Sequence, residues 1–357
     1  MVASWMRSRA AAAIAAMLCG VAVAGSGAAD ADPVSAAADP IIARGAPLAT
    51  PVTADGSRIE DFRVIDDRNV RLLVYSAAMR KAIQIDVQRP ADTSQPRPVL
   101  YLFSGAGGGQ DETTWRKRTT ALNWLADKNA NIVQPVGGMA SYYTDWRAPD
   151  PVLGVNMWKT FFTRELPPLV DAALGTNGRN ALVGMSMSGT SVLQLAVAAP
   201  GLFRSVASYS GCAQISDPTG YAYAALVVRN GRGDPDNMYG PQGDPLWAAN
   251  DPYVHADQLR GTNLFISSGT GAPGAWDTLD GPYTQPGVGG LANQLILGGI
   301  IESAVNTCTR NLQTRLADLA IPATWDLTST GTHSWGYWQD ALVRSWPVLA
   351  DGLGLPA

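Results

Sequence analysis

Hydrophobic and polar residues alternate along NVRLLVYSA (69–77) and KAIQIDVQ (81–88). A period of two on both sides of a short polar break predicts a β-hairpin. PVLYLF (98–103) loses the alternation, and so short a continuous apolar run marks a strand buried on both faces. From there the two periodicities take turns: helix-like 114–128, strand NIVQPV (131–136), helix-like 158–173, strand NALVGM (180–185), helix-like 187–199 and strand SVASYS (205–210). NLFISSG (263–269) and ATWDLT (323–328) read as two more strands, with a helix-like stretch over 288–318 between them and YWQDALVRSW as a closing helix. Short apolar strands alternating with amphipathic helices predict an α/β fold, a mostly parallel central sheet covered by helices on both faces.

Before residue 58 this order is missing. Residues 32–57 are rich in Ala and Pro without periodicity and read as an extended N-terminal arm, leaving 58–357 as a single domain with no internal repeat. Residues 1–31 read as a signal peptide: Arg7 and Arg9, the uncharged run AAAIAAMLCGVAVAG, then Ala29-Asp30-Ala31 before Asp32-Pro33. That run is too short for a bilayer span, which needs about 20 apolar residues. No later segment is expected to span a bilayer either, so the mature protein is expected to be soluble, secreted or held at the cell envelope.

Composition narrows the chemistry. The 26 Lys and Arg against 30 Asp and Glu give a net charge of -4, without the basic stripe of a nucleic-acid binder. With 2 His and 3 Cys in 357 residues, a His/Cys metal site is not expected, and no cofactor motif is present. Cys19 leaves with the signal peptide. Cys212 and Cys308 remain as an even pair for a disulfide in an oxidising compartment. Any mechanism that needs an imidazole has only His255 and His333.

Strand NALVGM runs into Gly184-Met185-Ser186-Met187-Ser188-Gly189 and then TSVLQLAVAA. Strand, tight turn and helix with Ser186 at the apex form a nucleophile elbow, with Ser188 replacing the second glycine of G-x-S-x-G. A serine hydroxyl needs a base at neutral pH. His333, in STGTHSW after the last strand, stands where the chain order Ser…acid…His puts it, whereas His255 in NDPYVHADQLRG reads as a loop or helix start. The acid is open among Asp277 and Asp280, which follow NLFISSG, and Glu302. Glu302 is the only charged residue between Asp280 and Arg310, and burying an isolated carboxylate is costly without a partner. For the oxyanion hole, Met187 supplies the N–H after the nucleophile and Ala106, in the loop Phe103–Gly109, is the candidate second donor.

The stretches YLFSGAGGGQDETTW, VQPVGGMASYYTDW, MWKTFFTRELPPL, VGMSMSGTSVLQLA, NMYGPQGDPLWAANDP and GTHSWGYW carry a resemblance. Together they cover most of 98–338 in consistent order, and the chain resembles the antigen 85 family of secreted mycolyltransferases and its corynebacterial-type relatives. The resemblance implies an α/β-hydrolase fold and an acyltransferase that moves mycolic acid from trehalose monomycolate to a hydroxyl acceptor. The acceptor would be trehalose monomycolate, arabinogalactan or a protein, with association at the cell envelope. It places the family's catalytic serine on Ser186, its histidine on His333 and its glutamate on Glu302. Where the family has Asp-Gly-Leu-Arg after the early strand, this chain has Ser104-Gly105-Ala106-Gly107; the trehalose contacts of that Asp and Arg do not carry over, and Ser104 and Gly107, at the matching positions, are the candidate substrate-binding residues of the loop. Trp335 matches and is a candidate to stack on sugar or line an acyl channel. A Cys212–Cys308 disulfide would pin the helix bearing Glu302. A secreted carboxylesterase and a non-catalytic cell-wall or matrix-binding protein are the competing functions.

Overall fold

The computed structural model describes residues 51–357. The signal peptide assigned to 1–31 and most of the arm assigned to 32–57 lie outside the described residues. Nine strands form one sheet among them: β1 Arg58–Val64, β2 Asn69–Ser76, β3 Lys81–Gln88, β4 Arg97–Leu102, β5 Asn131–Val136, β6 Thr176–Met185, β7 Phe203–Tyr209, β8 Asn263–Ser268 and β9 Thr324–Leu327. Their order is β1-β2-β3-β5-β4-β6-β7-β8-β9. β1, β2, β3 and β5 pair antiparallel, and every pairing from β5 through β9 is parallel.

The period of two sorts side chains to the two faces of this sheet. Tyr101, Leu182, Val206, Leu264 and Ile266 join one core. Their neighbours Leu100, Leu102, Ala181, Val183, Ala207 and Phe265 join the other. The first core is covered by α4 (Leu166–Leu174), α5 (Met187–Ala198) and α10 (Gly299–Asp318), and the second by α11 (Trp335–Leu353). The second core also takes α1 (Trp115–Arg118) and α2 (Ala121–Leu125). α1 and α2 were one helix in the sequence pattern. Thr119, extended at φ -144°, divides them.

Two helical stretches contain a π-turn. Trp158–Thr160 (α3) passes through Phe161–Glu165 into α4, and Gly287–Asn293 (α9) passes through Gln294–Gly298 into α10. The whole stretch Gly287–Asp318 is long and apolar enough to cross a membrane, which corrects the expectation that no later segment is. Its Glu302, Val305, Cys308, Leu312 and Leu316 are nonetheless buried in the fold. Between β7 and β8 lie α6 (Pro218–Asn230), α7 (Pro235–Tyr239) and α8 (Pro245–Ala249).

Candidate active site

The site forms at the C-terminal ends of β6, β7, β8 and β9, where a parallel sheet exposes its loops. At the end of β6, Ser186 has φ 55° and ψ -124°. A non-glycine residue in such a region costs about 1–3 kcal/mol and persists only where its surroundings enforce it. Gly184 and Ser188 enforce it here. A Cβ on Gly184 would lie 2.3 Å from the Ser188 carbonyl oxygen, so the strand can approach the helix this closely only without a side chain. The Ser188 hydroxyl accepts from the Met185 N–H at 2.9 Å and donates to the Met185 carbonyl at 3.0 Å. The serine in place of the second glycine therefore clips the turn shut.

The Ser186 hydroxyl lies 2.8 Å from His333 Nε2, and His333 Nδ1 lies 2.8 Å from Glu302 Oε2. Glu302 is 1% exposed and His333 10%. The other carboxylate oxygen of Glu302 accepts from the Ser210 hydroxyl at 2.8 Å, the Gly269 N–H at 2.7 Å and the Ser268 hydroxyl at 3.3 Å. Ser210 in turn accepts from Trp338 Nε1 at 2.9 Å, and the Trp338 ring stands edge-on to His333 with centroids 4.9 Å apart. A carboxylate has the lone pairs to accept from all of these donors at once. The His333 N–H donates to the Gly298 carbonyl at 3.2 Å, the last residue of the π-turn ahead of Glu302.

Asp277 and Asp280 lie outside this line. Asp280 accepts from the Gly287 N–H, and Asp277 binds the loop that carries His333. His255 stands at the start of a 3-10 turn, Ala256–Leu259, also outside it.

Met187 is the first residue of α5, and neither its N–H nor that of Ala106 has an acceptor within the described residues. The Gly105 carbonyl accepts from the Gly108 N–H at 3.0 Å, which fixes the peptide whose opposite end is the Ala106 N–H. A Cβ on Gly105 would lie 3.6 Å from Ser186 Cβ, so this loop passes beside the nucleophile. Ala140 N–H braces it by donating to the Ala106 carbonyl at 2.8 Å. Ser104 is buried under the loop. At Gly107 a side chain would meet Asp111 Oδ2 at 2.3 Å. Trp335 is 8% exposed and packs edge-to-face on Trp115 and Trp338, with centroids 5.6 and 5.3 Å away.

Cys212 and Cys308 form a disulfide with Cα atoms 5.1 Å apart. It ties α10, six residues past Glu302, to the segment following β7 that bears Ser210. Sequence reasoning missed Ser210, Ser268, Gly269 and Trp338. Their one sequence signal is position: the first three stand at or just beyond strand ends predicted on the same edge of the sheet.

Sheet order, elbow and the Ser–His–Glu arrangement together define an α/β-hydrolase. The esterase family, described as "Putative esterase", matches residues 76–349. The chain belongs to that family and, within it, to the antigen 85 mycolyltransferases. It is 32% identical over 292 residues to diacylglycerol acyltransferase/mycolyltransferase Ag85A of Mycobacterium leprae, covering 79% of this chain and 83% of that protein. Ag85B of Mycobacterium avium is 31% identical over 291 residues, with the same coverage of each. The crystal structure of Mycobacterium tuberculosis MPT51 matches with a TM-score of 0.65 and 25% identity over 79% of this chain and 97% of that one. An S-formylglutathione hydrolase from Agrobacterium tumefaciens shares the fold alone, at 14% identity and a TM-score of 0.58 over 83% of this chain and 99% of that one.

Proposed function

We propose that the protein is an exported serine acyltransferase that moves a mycolic acyl group from trehalose monomycolate to a hydroxyl acceptor. The acceptor is a second trehalose monomycolate, a cell-envelope glycan or a protein. The observation that carries this reading is the unbroken hydrogen-bonded line from Ser186 through His333 to the buried Glu302. Family membership supplies the acyl class, since the relatives are named as acyltransferases and mycolyltransferases. Export rests on the basic and apolar segment within residues 1–31, and the Cys212–Cys308 bond fits an oxidising compartment.

His333 Nε2 takes the proton of Ser186 Oγ as that oxygen attacks the ester carbonyl. Glu302 holds the ring and stabilises the imidazolium. The carbonyl oxygen, now an anion, is received by the Met187 and Ala106 N–H groups, aided by the N-terminal end of α5. Collapse of this intermediate expels the trehalose oxygen, which takes the proton from His333 and leaves Ser186 acylated. The acceptor hydroxyl then gives its proton to His333, attacks the acyl-enzyme and restores Ser186.

The same residues would serve a carboxylesterase, with water as acceptor. One observation favours that second reading: where the family's trehalose-contacting arginine would emerge, this chain has Gly107, and the Asp111 carboxylate fills the space beside it. Product analysis with trehalose monomycolate as donor and each acceptor in turn separates the two. Transfer product that disappears in Ser186→Ala supports the acyltransferase, and free mycolic acid alone supports the esterase. If a fluorophosphonate fails to label Ser186 in folded protein, the enzymatic reading falls and a binding role takes its place.

A further inference from the structure

Asp277, one of the rival acids in the sequence, sits at the centre of a second hydrogen-bonded cluster. Its Oδ1 accepts from the Thr332 hydroxyl at 2.5 Å and from Gln294 Nε2 at 2.8 Å. Its Oδ2 accepts from the Tyr337 hydroxyl at 2.6 Å and the Gly274 N–H at 2.7 Å. All four partners donate, and a carboxylate is the one side chain that accepts from four donors through two oxygens.

The places these donors come from give the cluster its meaning. Thr332 immediately precedes His333, and Tyr337 lies one helical turn beyond it in the first turn of α11. Gln294 opens the π-turn Gln294–Gly298, whose last carbonyl accepts from the His333 N–H and whose end leads directly to Glu302 on α10. Burial, and then the Asp277 carboxylate it faces, raise the Tyr337 hydroxyl above the ordinary phenol value, so it stays a donor. Backbone bonds run alongside: Gly271 N–H donates to the Gly331 carbonyl at 2.8 Å and Gly331 N–H to the Ala272 carbonyl at 2.7 Å. One carboxylate thus grips the chain on both sides of the base and at the entrance to the helix that carries the acid.

We propose that Asp277 is a positioning residue for the reaction, setting the His333 loop and the Glu302 helix in register with each other so that the imidazole stays aligned between Ser186 and Glu302. This rests on the enzymatic reading above. Asp277 touches neither Ser186 nor the reacting atoms and acts only through its four donors. Alignment at this scale has a kinetic consequence, because a displacement of about 1 Å among reacting groups costs about 10²-fold in rate. In Asp277→Asn one oxygen becomes an NH₂ group, so two of the four donors lose their acceptor and must turn or shift, and the two bonds that remain are no longer to a charged group.

The experiment compares the full exported protein with Asp277→Asn, Thr332→Val and Tyr337→Phe. A fluorophosphonate carried to completion counts competent sites, and hydrolysis of p-nitrophenyl butyrate then gives kcat and KM per competent site. Asp277→Asn is expected to lower kcat per site at least tenfold with KM within twofold, and each of the other two to lower it about threefold. A merely structural aspartate would reduce the number of competent sites or the melting temperature and leave kcat per site unchanged. A value within twofold of wild type in Asp277→Asn overturns the proposal. If that variant does not fold, Tyr337→Phe, which removes a single hydroxyl, decides in its place: kcat per site unchanged from wild type overturns the proposal, and a fall of about threefold sustains it. Wild-type protein that cannot be labelled overturns the enzymatic reading, a result distinct from labelled protein indifferent to Asp277.

Discussion

Glu302 brings a negative charge to a position with 1% exposure, and every group that touches it donates. Glu302→Gln keeps the shape but turns one acceptor into a donor, so it cannot hold the imidazolium and can favour the wrong tautomer. The expected loss is about three to four orders of magnitude in kcat with KM little changed, measured on a soluble ester. Gly184→Ala tests the elbow. The added methyl would stand 2.3 Å from a backbone oxygen that cannot swing aside. The variant is expected to lose about 1–3 kcal/mol in a denaturant titration. Ser186 and His333 were legible because a strained turn and a loop histidine leave local signatures. The acid was not. Asp277 and Asp280 follow a strand end, the place where pattern looks for it, whereas Glu302 comes from a helix whose aim is set by a π-turn. Pattern alone left those three open, and resemblance favoured Glu302. Trp335 stands out by its motif, and its burial against Trp115 depends on a contact across more than 200 residues of chain that no local spacing reveals.

At the scale of elements, the disulfide closes a long loop, with 96 residues separating Cys212 from Cys308. Cys308→Ser is expected to cost about 2–4 kcal/mol, read as a lower denaturant midpoint. Asp150 supports a different junction. One of its oxygens accepts from the Val152 and Leu153 N–H groups, the other from the Asp234 N–H and Asn237 Nδ2 at the start of α7. Burial raises its carboxyl, but these hydrogen bonds outweigh it and hold the folded value below the ordinary one. A lowered folded value means the stabilisation is full above about pH 4 and is lost as pH falls through the folded value. Asp150→Asn is therefore expected to be less stable than wild type at pH 7, by about 1–3 kcal/mol, with the gap narrowing in acid. Strands β2 to β9 were readable from apolar runs. Helices α6, α7 and α8 were passed over, although each starts with an aspartate cap and a proline in its first turn, Asp217-Pro218, Asp234-Pro235 and Asp244-Pro245. Their weak apolar periodicity hid them, and the capping signal was the one to follow.

For the molecule as a whole, the described residues 51–357 form one compact unit. A chain shortened to 48–357 keeps Ser186, His333 and Glu302 and is expected to take up fluorophosphonate to the same extent as the full chain. Loss of labelling would assign the first 47 residues a part in building the site. Within that unit the chemistry is spread along the chain: Ser186 and His333 are 147 positions apart. Glu302 lies between them, 116 positions after Ser186. During synthesis, and during any export that threads the chain out N-terminus first, the serine therefore emerges long before anything can activate it. On the proposed mechanism the polypeptide stays inert until the segment bearing His333 arrives. A nick or a premature stop between β8 and His333 would leave most of the sheet intact and, on that mechanism, Ser186 without its base.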